Sequence, residues 1–353
     1  MTTKKATIKD VAREAKVSVA SVSRALNGQG GVTAETLERI RVAAKRLHYI
    51  PDNAARSLIT RRTHTIGALL PDLFGEFFSE LIRGIDLAAR SRGLHLLVSS
   101  SHDGADEAAA ALRAMQGRVD GMLILSPWVD EGFLEANLPG ALPTVLINSP
   151  IHASGRSVLN IDNRGGAYAM TEHLLRTAGH KDIAFIAGPA GNFDAEQRAL
   201  GYREAMKKLA PKVPLNIVAG SFTEESGYHA GRELLAQGKR PSAVFAANDM
   251  MAVGCLYAFK EAGLQVPADI ALAGFDDIPI ARYLTPPLST VSVHIAELGR
   301  NALERLAALM DGRAQSDSTD TLGCAIAVRG TCGASRDASA TKNTYQPARP
   351  FDP

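Results

Sequence analysis

Apolar residues in the first fifty positions recur at helical spacing in three short segments. The apolar positions are Ile8, Val11, Ala12 and Ala15, then Val19, Val22, Ala25 and Leu26, then Leu37, Ile40, Ala44 and Leu47. Thr7, Ser18 and Thr33 precede the segments as N-caps. Because helices this short cannot bury an apolar stripe alone, we expect a three-helix unit with an exposed second helix. An ordinary alanine-rich helical hairpin has the same spacing and remains open at this point.

The capping pattern around these segments adds detail. Asp10 lies three residues after Thr7, as in a capping box. Asn27 and Gly28 follow the second segment, and both residue types are preferred where helices end. The short break at Lys16 and Val17 leaves room for a tight turn between the first two helices. A second helix presented in this way can enter the major groove of DNA.

From Thr65 onward, short apolar runs alternate with helical patterns. The runs cover 66–70, 95–100, 121–125, 144–148, 183–188, 243–248 and 270–275. Helical stretches between them include 76–92, 163–178, 195–209, 224–237 and 249–262. This alternation predicts parallel strands covered by helices on both faces. The runs are too many for one comfortable open sheet, so we expect two sheets.

Charge is unevenly divided along the chain. Residues 1–62 carry 13 Lys and Arg against 5 Asp and Glu, a net charge of +8. The remaining residues carry 26 against 32, a net charge of −6, which gives +2 for the whole chain. A basic segment on an otherwise acidic chain is typical of a nucleic-acid-binding module. The charge therefore favours a DNA-binding unit over a plain hairpin.

Composition and motifs narrow the function class. No apolar run approaches the roughly 20 residues of a membrane span, and no apolar secretory core follows Lys4 and Lys5. The three cysteines lack metal-ligand spacing, which favours free thiols in a reducing cytosol over an export disulfide. No GxSxG, HExxH or P-loop pattern is present, and GGAY at 165–168 is too short for a dinucleotide fingerprint. We expect a cytoplasmic protein that is not an enzyme, with no catalytic residue, metal site or cofactor.

Polar side chains follow several predicted strands at the edge where open parallel sheets bind ligands. They are Asp162, Asn248, Asp249, Asp276 and Asp277, and Arg198 lies near the start of a helix. An arginine fork with carboxylate and amide acceptors suits the vicinal hydroxyls of a sugar, or an anionic small ligand. Phe77, Phe78 and Phe222 could supply apolar faces for a ring. Helix capping remains open for Asn248, Asp249 and Asp277, and a core position for Phe78.

Long motifs along the chain resemble one family. TIKDVAREAKVSVASVSRALN at 7–27 and VTAETLERIRVAAKRLHYIPDNAARSL at 32–58 resemble the headpiece of the lactose/galactose-repressor family of bacterial transcription regulators. The likeness continues to about residue 330 through IGALLPDL, RVDGMLILSP, the stretch from Asn160 to Pro189, FAANDMMAVG and AGFDDIPIARYLTPPLSTV. It implies a helix-turn-helix headpiece at 1–50, a hinge helix or linker at 51–62, and a two-lobed α/β effector and dimerisation domain at 63–332. The lobes resemble periplasmic binding proteins, with chain crossings near 161, 290 and 320. The aperiodic tail at 333–353 is expected to be disordered.

For DNA, we expect contacts at ten positions, and the resemblance gives base contacts to Val19, Ala20 and Arg24. The ten positions are Thr7, Ser18, Val19, Ala20, Ser21, Arg24, Asn27, Asn53, Ala55 and Leu58. Arg24 can offer two donors to a guanine edge, while Val19 and Ala20 can only make apolar contacts, for instance with a thymine methyl. The serines and Asn27 suit phosphates, although capping alone explains each serine.

The segment around Leu58 forms a second DNA-reading device by the same resemblance. A helix capped by Asn53 would span only about seven residues, too few to be stable alone. We therefore expect it to fold only on DNA beside its dimer mate. The resemblance makes Leu58 a wedge in the minor groove; a plain linker with an incidental leucine is the alternative.

In the effector domain, the resemblance places ligand contacts at Phe77, Phe78, Asp162, Arg198, Phe222, Asn248 and Asp276. Val293 departs from the polar residue of many relatives, and we expect the adjacent His294 to be exposed or satisfied. The implied function is a homodimeric repressor of carbohydrate transport or catabolism genes that a small sugar releases from a palindromic operator. A co-repressor-type regulator that its ligand tightens on DNA is one alternative, and a solute-binding receptor is another. The leucine heptad that joins dimers in some relatives is absent, which favours a dimer over a tetramer.

Overall fold

The computed structural model describes residues 6–26, 31–49, 62–102, 104–126, 130–151, 156–314 and 317–333. The chain forms two compact units, residues 1–63 and 64–353, which are described separately. Several residues with predicted roles lie outside the described residues: Asn27, Gly28 and the segment 51–58. Of the predicted tail at 333–353, only Gly333 is described. No described helix is both long enough and apolar enough to cross a membrane.

The first unit contains three helices, α1 (Ile8–Ala15), α2 (Val19–Leu26) and α3 (Ala34–Arg46). Their small core contains Val11, Val22 and Ile40, all fully buried. Thr7 and Asp10 form the expected capping box, with the Thr7 amide donating to Asp10 Oδ2 at 3.0 Å. Lys16 then adopts a left-handed conformation with φ 54°, which ends α1 and turns the chain toward α2.

The second unit has two lobes, each built on a six-stranded sheet. Lobe 1 has the strand order β11-β5-β4-β3-β1-β2, and every described pairing in it is parallel. Its strands are β1 (Thr65–Leu70), β2 (His95–Ser100), β3 (Gly121–Ile124), β4 (Thr144–Ile147), β5 (Ser157–Ile161) and β11 (Thr319–Leu322). Its helices are α4 (Glu76–Ser91), α5 (Ala105–Met115), α6 (Glu131–Asn137) and α11 (Ile295–Met310).

Lobe 2 has the order β12-β10-β9-β8-β6-β7, and only the β12 pairing is antiparallel among its described strands. Its strands are β6 (Ile183–Ile186), β7 (Asn216–Val218), β8 (Ala243–Ala246), β9 (Ala271–Asp276), β10 (Ser289–Ser292) and β12 (Ala325–Ala327). Its helices are α7 (Asn163–Glu172), α8 (Phe193–Leu209), α9 (Glu224–Ala236) and α10 (Asp249–Glu261). A π-turn at His173–Thr177 extends α7, and a 3₁₀ turn covers Pro279–Arg282.

The chain passes between the lobes three times. The passages follow β5 at Asp162, β10 at Val293 and β11 at Gly323. Both lobes are therefore assembled from separated stretches of sequence. The carboxyl ends of the two sheets face each other, since side chains that follow β1 and β4 bond to residues that follow β9 and β6. The gap between these ends is the cleft.

Two parallel sheets with helices on both faces confirm the expected fold class. The seven predicted apolar runs correspond to β1, β2, β3, β4, β6, β8 and β9. The seven runs do not include β5, β7, β10, β11 or β12. Of these strands, β7, β11 and β12 are three or four residues long and partly polar or exposed. The predicted helical stretches also did not include α5, α6 or α11. In lobe 1, α11 packs on α4 through Gly84 and Gly299, where a Cβ would meet the backbone of the facing helix within 2.4 Å.

Candidate functional site

Helix α2 exposes the side chains that the sequence assigns to base contacts. Val19, Ala20 and Arg24 are exposed, whereas Val22 is fully buried on the opposite face. Val19 is 41% exposed, which is high for an apolar side chain and leaves it available for contact with a partner. The exposed stripe suits insertion into a major groove.

The small polar residues of this unit have partners of their own. Ser18 Oγ accepts from the Ser21 amide at 3.0 Å and lies 2.9 Å from Ser21 Oγ, so Ser18 caps α2. The Thr7 hydroxyl donates to Asp10 Oδ2 at 2.7 Å. These bonds support the capping role that the sequence left open beside phosphate contact. Asn27, Asn53, Ala55 and Leu58 lie outside the described residues.

In the second unit, Arg198 organises a buried polar cluster at the cleft. Only 4% of its surface is exposed. Its Nε donates to Asn163 Oδ1 at 2.8 Å and its Nη1 to the Ala247 carbonyl at 2.7 Å, while Nη2 lies 2.9 Å from Asp276 Oδ1. The guanidinium also stacks 3.9 Å from the centre of the Phe275 ring. These contacts fix the plane of the guanidinium.

Asp276 ends β9 in an unusual setting. Its φ of 113° lies in a region that side chains rarely adopt, and only 5% of the residue is exposed. Its Oδ1 lies 2.9 Å from Arg198 Nη2 as an ion pair and accepts no further hydrogen bond from the described residues. Burial raises the pKa of Asp276 to about 6, and the nearby Arg198 charge opposes that rise. An ion-paired carboxylate oxygen keeps a further lone pair, which can accept from a ligand donor.

A second carboxylate, the half-buried Asp194, joins the two lobes. Asn148, which follows β4 in lobe 1, donates to Asp194 Oδ2 at 3.2 Å, and Asn163 donates to Asp194 Oδ1 at 2.8 Å. Burial raises the pKa of Asp194, while the positive charge of Arg198 lowers it. The sequence interpretation named none of Asn148, Asn163 and Asp194 as ligand residues. The available signal was their position: Asn148 is the last residue of a predicted strand, and Asn163 directly follows Asp162.

Other predicted residues have structural roles. Asn248 caps α10 through the Met251 amide at 3.0 Å and donates to the Phe222 carbonyl at 3.0 Å. Asp162 is exposed and caps α7 through the Gly165 amide at 2.8 Å. Asp249 is fully buried and accepts from Thr290 Oγ1 at 2.6 Å and from the Ile278 amide at 2.9 Å. Asp277 pairs with Arg329 and Arg282. The helix-capping and loop-tying alternatives therefore describe Asn248, Asp249 and Asp277.

The aromatic candidates are half-buried. Phe77 and Phe78 begin α4 and pack edge to face, with ring centres 5.4 Å apart. Phe222 has a φ of 67°, and its ring centre lies 5.7 Å from the Arg198 guanidinium. Phe222 therefore joins the Arg198 cluster, whereas no described contact links Phe77 or Phe78 to Arg198. Val293 is buried and the adjacent His294 is exposed, as the sequence suggested for His294.

A further bond crosses the mouth of the cleft. The Ile280 amide of lobe 2 donates to Glu76 Oε2 of lobe 1 at 2.8 Å. This bond and the Asn148–Asp194 bond both link the two lobes. Lobe 1 supplies the acceptor in the first bond, and lobe 2 supplies it in the second. The described residues contain no group of three or more His, Cys, Asp or Glu side chains placed to hold a metal.

Comparisons with known proteins agree with this architecture. Residues 7–52 match the family described as bacterial regulatory proteins, lacI family, and residues 171–332 match a periplasmic binding protein-like domain. The ribose operon repressor of Escherichia coli (strain K12) is 38% identical over 306 residues, which cover 85% of this chain and 92% of that protein. The chain belongs to the lacI family. It is therefore a ligand-responsive, DNA-binding transcription regulator.

Solved lacI-family structures resemble the whole chain. The lac repressor dimer bound to operator and the anti-inducer ONPF superposes with a TM-score of 0.84 at 28% identity, covering 93% of this chain and 99% of that one. A lacI-family regulator from Enterococcus faecium with bound ribose has a TM-score of 0.68 at 26% identity, covering 76% and 98%. The lac repressor structure is a dimer on operator DNA, and its likeness to this chain supports operator binding as a homodimer here. Family members are regulators, not enzymes.

Proposed function

We propose that this protein is a repressor of carbohydrate transport or catabolism genes whose operator binding is released by a neutral sugar in the cleft. The observation that carries the sugar assignment is the ion pair of Arg198 with Asp276, buried between the lobes. The carboxylates of Asp276 and of the nearby Asp194 supply acceptors for hydroxyl groups.

The charge of this cluster decides between neutral and anionic effectors. Two carboxylates, the half-buried Asp194 and the buried Asp276, face one guanidinium, and that guanidinium is already engaged on all three nitrogens. An incoming phosphate or carboxylate would meet surplus negative charge in a poorly solvated site. A polyhydroxylated neutral ligand meets acceptors instead. The ribose bound to the Enterococcus faecium regulator supports a pentose as the first probe.

For the operator, we propose that α2 reads bases with Arg24, Val19 and Ala20, while Thr7, Ser18, Ser21 and Asn27 contact phosphates. The hinge residues Asn53, Ala55 and Leu58 would order on DNA, with Leu58 in the minor groove. In the cleft, Phe77, Phe78, Asp162, Phe222 and Asn248 remain proposed effector contacts beside Arg198 and Asp276. The domain limits at 50, 62 and 332 belong to the same proposal.

The protein would act without cofactor or catalysis. A regulator of chromosomal operators works in the cytoplasm. The buried Arg198–Asp276 pair also fits a co-repressor, because a ligand can stabilise either the open or the closed arrangement of the lobes. Whether the ligand weakens or tightens DNA binding depends on which arrangement favours the DNA-bound form of the hinge.

A thermal-shift titration tests the effector assignment. Ribose, other neutral sugars and a sugar phosphate would be added to the full-length protein. A true effector at 100 times its dissociation constant adds about 2.7 kcal/mol to the free energy of unfolding. Stabilisation by the sugar phosphate but by no neutral sugar would contradict the neutral assignment.

Operator binding separates the regulator from a solute-binding receptor. Removing residues 1–60 should abolish operator binding and leave effector binding intact. Adding the stabilising sugar to the full-length protein on operator DNA then gives the sign. Release identifies an inducer, and tighter binding identifies a co-repressor.

A further inference from the structure

The lysines of the second unit are confined to one end of one lobe. Between residues 64 and 333 the chain contains six lysines, and lobe 1 contains none. They are Lys181, Lys207, Lys208, Lys212, Lys239 and Lys260. All six are exposed, as is the adjacent Arg240. We call these seven residues the lysine face.

Topology brings them together at the amino-terminal edge of the lobe 2 sheet. The connections 178–182, 210–215, 237–242 and 262–270 lead into β6, β7, β8 and β9. Four of the seven residues lie in these connections. The other three lie in the last turns of α8 and α10, the helices that run back to this edge. Lys181, Lys239 and Arg240 line one open groove of about 490 Å³ there, together with Asp182 and Asp269.

Helix-end electrostatics explains only part of this pattern. Cations near a helix C-terminus interact favourably with its dipole, which accounts for Lys207, Lys208 and Lys260. Lobe 1 has the same architecture, but it uses arginines at its helix ends, and Arg90 and Arg92 are paired with Asp86 and Glu304.

The lysine face is mostly unpaired. Lys239 pairs with Asp182 at 2.6 Å, and Lys208 lies over the Tyr168 ring. Among the described residues no carboxylate lies within 4.0 Å of the side-chain nitrogens of Lys181, Lys207, Lys212, Lys260 or Arg240. The same connections and the last turns of α8, α9 and α10 contain four carboxylates: Asp182, Asp269, Glu233 and Glu261. Glu261 pairs with Arg232. A net positive surface remains.

The position of this face matters for its partner. The chain enters the second unit at His64, whose amide bonds to Asp120 Oδ2 at the amino-terminal edge of lobe 1. Because the carboxyl ends of both sheets face the cleft, the lysine face lies at the opposite end of the unit from this entry point. The lysine face is therefore remote from the residue at which the chain enters the second unit.

Composition favours a nucleic acid over a protein partner. Protein interfaces are enriched in aromatic residues, Met and Arg and depleted in Lys. The four connections contain no Phe, Tyr or Trp. Phosphate contacts need only positive point charges, which lysine supplies without sequence readout. We propose that the lysine face binds the backbone phosphates of a second duplex DNA segment while the headpieces hold the operator.

The test uses the full-length protein saturated with the operator duplex that it selects from a random pool. A labelled duplex of unrelated sequence is then titrated in at several salt concentrations. Replacing Lys207, Lys208 and Lys212 with Gln together should weaken capture of the second duplex roughly tenfold or more at low salt. It should also make the slope of log affinity against log salt shallower by up to about 2.7, since each lost phosphate contact contributes about 0.9. Operator affinity should stay unchanged, which keeps this result separate from the proposed function.

A matched control removes the same charge elsewhere in lobe 2. Arg164, Arg176 and Arg282, each paired with a carboxylate, are replaced with Gln. This control should change capture less than twofold. Equal loss in both triple variants would overturn the proposal in favour of a general charge effect. Unchanged capture in the lysine variant, or binding of polyglutamate at least as tight as duplex DNA, would overturn it as well.

Discussion

Asn148 and Asp194 form a hydrogen bond across the cleft, with Asn148 Nδ2 3.2 Å from Asp194 Oδ2. The same asparagine uses its Oδ1 to accept from the Ile161 amide at 2.9 Å, just before the first passage between the lobes. The Asn148 side chain thus contacts lobe 2 and also the last residue of β5, where the chain leaves lobe 1. We expect lobe closure to depend on the donor that this amide presents.

Asn148→Asp tests that dependence. The change keeps the acceptor for Ile161 and replaces the donor with a second carboxylate facing Asp194. Losing a hydrogen bond to a charged group costs about 1.5–3 kcal/mol, and like-charge repulsion adds to it. We expect a larger radius of gyration in small-angle scattering of the effector-free protein. Adding Asp194→Asn should restore both the bond and the compact form; a double variant as open as the single one would contradict this role.

Arg198→Ala should strongly lower the free energy of unfolding, because it leaves the carboxylates of the cluster without their cation. Breaking such a pair by removing one partner costs about 3–5 kcal/mol. Arg198→Met combined with Asp276→Asn should be much less destabilising, since it removes both charges. Urea unfolding of both variants measures the difference. The double variant should still bind the operator and fail to respond to the effector, and a retained response would contradict the cleft assignment.

The pKa of Asp276 gives stability a pH dependence. Its value of about 6 in the folded protein exceeds the ordinary value of 3.8, so the folded state binds the proton more tightly. The stabilisation from this group is complete below pH 4 and is lost as pH rises through 6. Two pKa units correspond to about 3 kcal/mol. We expect the free energy of unfolding to fall between pH 4 and pH 7, and Asp276→Asn to flatten that fall, while Asp86→Asn on exposed α4 leaves it in place.

Arg24 offers the test of base reading. Arg24→Ala should reduce discrimination between the operator and unrelated DNA by about 1–3 kcal/mol, the range for a good bidentate pair. Arg13→Ala removes the same charge from an exposed position of α1 and serves as the control. Fluorescence anisotropy with both duplexes measures each affinity. If the two variants lose discrimination equally, Arg24 contributes only charge.

Leu58 is the residue proposed for the minor groove. Leu58→Ala should weaken operator binding far more than non-specific binding, because a wedge contributes only where the central step is kinked. Parallel titrations of operator and unrelated duplexes provide the ratio. Equal losses on the two duplexes would rule out the wedge.

The sequence predicted the long, apolar elements better than the site. Strands such as β6 and β8 are fully buried four-residue runs and stand out in the chain. Strand β12 has three residues and is defined only by its partner β10. Asp194 looked like an ordinary acidic residue of a helical first turn, since nothing local shows that Asn148, 46 positions earlier, faces it. Asp276 was recognisable because it follows a predicted strand, and Arg198 because it lies near the start of a helix.

The three passages between the lobes also set an order of events during synthesis. Lobe 1 pairs β11 with β5, and lobe 2 pairs β12 with β10, so each sheet receives an outer strand from the last described stretch of the chain. Helix α11, which covers α4, also emerges after nearly all of lobe 2. A nascent chain must therefore carry two unfinished sheets on the ribosome until about residue 327 has left the exit tunnel. Exposed apolar surface and open strand edges make such a chain a substrate for chaperones.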